Sequence, residues 1–125
     1  PVNKRYSIQQ FSRIVTINML RSAMPMEKIC SLLTYVNGEL DDESDDLIDD
    51  TVLYFMFLRL AARARHIGGQ DDWETAIADI LKDYAEPVPG AKKRIDQVLR
   101  IMLTAWIGVQ TIRRAEQMLL ELKED

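Results

Sequence analysis

Apolar residues recur at every third or fourth position along most of this chain, and polar breaks cut the pattern into five segments that read as helices, with no strand. The first starts at Ser7, where Ser7 and Gln10 fit a capping box, each side chain satisfying a free backbone N–H of the other's turn. Ile8, Phe11, Ile14, Val15, Asn18 and Met19 follow at helical spacing. Pro25 suits the first turn of a second helix, since its missing N–H would be unpaired there anyway. That helix carries Ile29, Leu32, Leu33 and Val36 and stops at Gly38.

A third helix is expected to begin between Asp42 and Asp46, where acids meet the positive end of the helix dipole, and to run to about Ile67 before Gly68 and Gly69. Its middle, Val52 to Leu58, is apolar on every side, the pattern of a helix surrounded by others. Asp71 or Asp72 caps a shorter fourth helix with Trp73, Ile77, Ile80, Leu81 and Tyr84 on one side. "EPVPG" ends it, because two prolines and a glycine cannot continue a helix. The fifth runs from about Ala91 to Lys123, near 50 Å at about 1.5 Å per residue. That is longer than a compact bundle of this size can cover, so part of it is expected to pair with another subunit.

The 125 residues suffice for one domain-sized core, and 47% hydrophobic with 29% charged residues describes a globular chain. No run approaches the roughly 20 apolar residues of a membrane helix, and the cytoplasm is the expected compartment. Cys30 and His66 are the only residues of their kinds, which argues against disulfide scaffolds, zinc sites and Ser-His or Cys-His catalysis. Neither a cofactor nor a catalytic set is expected. The formal charge of −4 hides blocks: residues 1–36 hold five bases against Glu27, and residues 37–50 hold eight acids and no base.

The residues from Lys4 to Leu33 resemble the rear half of a MerR-type winged helix-turn-helix domain. The resemblance rests on the basic pair Lys4 and Arg5, on Tyr6 and Ser7, on the apolar Phe11, Ile14, Ile17 and Leu20, and on the E-x-I-x-x-LL run of Glu27, Ile29, Leu32 and Leu33. Ala23, Met24 and Pro25 replace the glycine that usually joins the two helices, and in this the chain is more similar to an uncharacterised bacterial family with a MerR-like head and its own helical bundle. The resemblance implies that residues 1–38 are the rear of a DNA-binding region and 39–125 an effector or dimerisation bundle, with the base-reading helix lying ahead of Pro1. It implies that Lys4, Arg5 and Tyr6 lie against DNA phosphates, and Arg13 and Arg21 extend the strip only if they share an exposed face, which a separation of about 80° around the helix does not favour. Such contacts position a protein on DNA without reading sequence. The plainer reading is that these bases are solvated and Tyr6 packs on the first helix.

The expected function is therefore the C-terminal part of a bacterial transcriptional regulator, not an enzyme, whose partners are DNA and a second copy of itself. The dimer seam is expected along Ile95, Leu99, Met102, Trp106, Val109, Ile112, Met118 and Leu122. A standalone helical protein-interaction module is the alternative. The aromatic residues read first as core; should a small-molecule effector pocket exist between helices, Tyr54 and Trp106 are its expected lining, since each brings a polar atom. Asp41 to Asp45 matches a magnesium-holding D-D-x-x-D spacing, but a solvated helix start explains it more simply. Cys30 is expected to be a buried, inert thiol, and His66 a helix C-cap.

Overall fold

The computed structural model describes residues 8–37, 47–64 and 70–123. They form five helices: α1 (Ile8–Leu20), α2 (Met26–Asn37), α3 (Asp50–Ala64), α4 (Gln70–Leu81) and α5 (Ala91–Lys123). The described residues contain no strand, so the chain is all-α, as its periodicity predicts. Among them no helix is long and apolar enough to cross a membrane. Ser7, the acidic run Asp41 to Asp45, and His66 lie outside the described residues.

The break between α1 and α2 is tight. The Leu20 carbonyl accepts from the Ala23 and Met24 amides at 2.9 and 3.1 Å, closing α1. Pro25 then turns its carbonyl to the Lys28 and Ile29 amides at 3.0 and 3.2 Å, the first bonds of α2. The third helix starts later than the acidic run suggests. Asp49 is the residue that caps it, its carboxylate accepting from the Thr51 and Val52 amides at 2.7 and 3.4 Å. Before it, the Leu47 amide donates to the Val36 carbonyl at 2.9 Å, and the Tyr84 hydroxyl donates to the Leu47 carbonyl, tying three segments together. Gly90, at φ 90°, makes the left-handed turn into α5, and the Glu86 carboxylate accepts from the Lys92 amide at 2.9 Å.

One hydrophobic core includes buried side chains from all five helices and from both sides of position 38: Leu20, Ile29, Leu33, Phe57, Ile77, Leu99 and Met102 are among its members. The α3 helix packs against α1, α4 and α5, yet it is not enclosed. Leu53, Met56, Phe57 and Leu60 face inward, while Val52, Phe55 and Leu58 are 46%, 56% and 39% exposed. The residues that made α3 look apolar all round thus divide into a buried face and an open one. Cys30 is also exposed rather than buried, because Ile29, Leu32, Leu33 and Val36 fill the inner face of α2 and turn position 30 outward.

Candidate functional site

An open apolar face lies on α5. The first part of this 33-residue helix is built into the bundle: Ala91, Ile95, Val98, Leu99, Met102, Leu103 and Val109 are buried. Beyond Val109 the helix leaves its neighbours, and every residue from Gln110 to Leu122 is exposed. Large apolar side chains stand out on this tail, with Ile112 at 59%, Leu119 at 55% and Leu122 at 71% exposure. Exposed apolar surface in such continuity marks an interaction site more often than chance exposure does.

These residues fall on one stripe. Ile101, Ala105, Gly108, Ile112, Ala115, Leu119 and Leu122 follow one another at alternating steps of four and three residues. That alternation is the seam spacing of paired helices. Thr104 and Thr111 flank it, and their hydroxyls donate back to the Arg100 and Ile107 carbonyls at 2.7 and 2.8 Å. With its hydroxyl satisfied inside its own helix, each threonine leaves a methyl group to the surface.

The stripe forms one wall of an open groove. Ser22, Ala23 and Met24 from the α1–α2 corner face Ala105, Gly108 and Ile112 across a hollow of about 470 Å³. A second hollow of about 690 Å³ continues it toward Tyr35 and Gln97, sharing Met24, Arg100 and Ile101 with the first. Polar contacts fix this second end. The Tyr35 hydroxyl donates to Gln97 Oε1 at 2.8 Å, the Arg94 guanidinium lies 4.9 Å from the Tyr35 ring centre, and Arg94 also donates to the Tyr35 carbonyl at 3.3 Å. Arg100 donates to Asp96 Oδ1 at 2.7 Å and pairs with Glu74 at 3.6 Å. Lys28 adds a further cation to the groove edge.

The expected site residues fare unevenly. Lys4, Arg5 and Tyr6 lie outside the described residues. Arg13 is not an open cation for phosphates. Its guanidinium reaches Asp50 at 3.6 Å, with the two side chains 13% and 9% exposed, and the neighbouring Ser12 hydroxyl donates to Thr51 at 3.1 Å. This patch fastens α1 to the start of α3. Arg21 is exposed at the α1–α2 corner.

Tyr54 and Trp106 each make a ring contact within the chain. The Tyr54 ring sits 5.8 Å from that of Phe55, whereas Trp106 stands edge-on to Phe57 at 6.4 Å and 80°, so its ring serves the core. Neither residue lines the two hollows along the stripe. The expected dimer seam also changes. Leu99 and Met102 are wholly buried and Val109 nearly so, because the chain's own helices cover them. Of that set, Ile112, Met118 and Leu122 remain open, and on the neighbouring stripe Ile101, Gly108 and Leu119 are open while Ala105 is partly buried against the core.

Among the described residues no group of three or more histidine, cysteine or acidic side chains gathers to hold a metal ion. No known protein family, curated protein or solved structure matches the chain.

Proposed function

We propose that this chain is the association part of a bacterial DNA-binding regulator, pairing with a second copy through α5. Pairing of this kind places two DNA-reading heads at a fixed separation, which suits a palindromic operator. The observation that carries the reading is the tail of α5, where thirteen successive residues, Gln110 to Leu122, are exposed while presenting Ile112, Leu119 and Leu122 on one stripe. Packing a second helix along this stripe would remove its apolar side chains from water, which favours association. The DNA half of the reading rests on the MerR-like residues Lys4 to Leu33 and on the short break at Ala23–Pro25. Small-molecule sensing has less support, since Trp106 packs on the core and neither it nor Tyr54 lines the two hollows along the stripe.

Light scattering across a concentration series tests the association. The parent protein is expected to reach twice the monomer mass, and an Ile112→Glu, Leu119→Glu variant to remain monomeric at every concentration with unchanged helix content. A parent that stays monomeric at high concentration contradicts the proposal. For the DNA half, the intact regulator is expected to bind promoter DNA with a steep salt dependence that Arg5→Ala weakens. Binding indifferent to salt and to Arg5 removes the phosphate role. The engagement of Arg13 by Asp50 favours a second reading, a helical module that binds other proteins and not DNA. Absence of DNA binding by the intact protein, with association preserved, selects it.

A further inference from the structure

Association through α5 leaves the direction of the two chains open, and the present inference rests on that association. We infer that a second copy of this chain lies antiparallel, with its α5 tail seated in the groove between α5 and the α1–α2 corner.

The stripe fits itself in one antiparallel register. With the two-fold axis between Arg113 and Arg114, Ile112 of one copy faces Ala115 of the other, Gly108 faces Leu119, and Ala105 faces Leu122. Each layer then sets a small residue against a large one, which fills the space between helices at close approach. A parallel in-register pair sets Ala105, Gly108 and Ala115 against themselves and leaves three thin layers. Gly108 is informative by itself. A Cβ built there meets nothing within 4 Å, so the fold of the single chain does not require glycine at this point in the helix. A helix approaching from outside does.

In this register the free tail, Gln110 to Leu122, lies level with Ala105 to Gln117 of the other copy, so its part from Ala115 to Leu122 runs along the first hollow beside Ala105, Gly108 and Ile112. Arg113 and Arg114 come near their counterparts at the axis, but they occupy outward positions in water, where like charges are screened.

A spin label on α5 separates the arrangements. Lys93 is exposed near the start of α5, away from the tail, so Lys93→Cys, in a Cys30→Ser background, carries the label without entering the seam. With the two-fold axis between Arg113 and Arg114 the two labelled positions are forty-one residues apart along the axis, about 60 Å. In a parallel in-register pair they stand level with each other on helices whose axes are about 8–10 Å apart, which brings the labels within about 30 Å. Double electron–electron resonance on the dimer is expected to show a distance near about 60 Å. A distance of about 30 Å or less overturns the antiparallel seating and leaves the association standing. A labelled protein that is monomeric alongside a monomeric parent removes both.

Discussion

Replacing Gly108 with alanine probes the seam and the fold in opposite directions. Glycine inside a helix costs about 0.8–1.0 kcal/mol relative to alanine. Gly108 lies in the interior of α5 and has no positive φ that would favour glycine, since the one described residue of that kind is Gly90. The added methyl group meets no atom within 4 Å of the same chain. The neighbouring Val109 is 5% exposed, so this turn belongs to the cooperatively folded bundle and not to a fraying end. The full helix-propensity gain of about 1 kcal/mol is therefore expected in the monomer. With an unfolding entropy near 2.1 cal/mol/K per residue, that raises Tm by about 4 °C for a chain of this size. Association adds a second term. A dimer that forms only in the folded state makes Tm rise with protein concentration. The Gly108→Ala methyl group stands where Leu119 of the second copy approaches, so this concentration-dependent part is expected to shrink, and Gly108→Leu is expected to abolish it. Thermal unfolding followed by circular dichroism at low and high micromolar concentrations reads both terms. A lower Tm for Gly108→Ala at the dilute end, or an undiminished concentration dependence at the other, refutes the reasoning.

Two further outcomes follow from the packing and the charges. Arg13→Ala leaves the nearly buried Asp50 without its guanidinium, so urea unfolding is expected to show a loss of about 1–3 kcal/mol, against little change for Arg21→Ala; a loss below about 0.5 kcal/mol contradicts the fastening role of the pair. Asp79 is held below the ordinary carboxyl pKa by its hydrogen bond with Lys82, by the charge of Lys82 at 3.4 Å, and by Arg63 at 2.8 Å. A lowered folded-state pKa means that the contribution is present above the ordinary carboxyl range and is lost as pH falls through the folded value. Because Asp79 is exposed, the effect on stability is small, and the direct check is an NMR titration of its carboxyl carbon. The midpoint is expected below 3.8 and to move upward in Lys82→Ala; equal midpoints contradict the assignment.

Most helix positions were legible because periodic apolar residues and punctuating residues agree. Pro25 and the Glu86–Gly90 break lie where α2 and α5 begin, and the length of α5 follows from the uninterrupted pattern between Ala91 and Lys123. The start of α3 was not legible. Eight acids compete for the same capping role across residues 37–50, and only the fold selects Asp49. The seam shows the same ambiguity on a larger scale. Ile95, Leu99, Met102, Trp106 and Val109 repeat at steps of four and three, and so do Ile101, Ala105, Gly108 and Ile112. Neighbouring positions on a helix differ by about 100°, so the two stripes are adjacent and equally regular. Which one faces the bundle depends on contacts with α2, α3 and α4 that periodicity does not encode. The larger residues of the first stripe go to the core, and the smaller residues of the second admit close approach from outside. The pairing of Arg13 with Asp50 was not legible for a similar reason. A cation in a basic segment looks available, and its acid lies in another helix, thirty-seven residues further along.

Hydrogen–deuterium exchange of residues 110–122, followed as a function of protein concentration, tests the central claim most directly. An unsupported stretch of exposed helix opens readily, and a second copy packed along it slows exchange. The account predicts fast exchange at dilute concentration and protection that grows as the protein associates, strongest at Ile112, Ala115 and Leu119. Exchange from this segment that is equally fast at every concentration would contradict it.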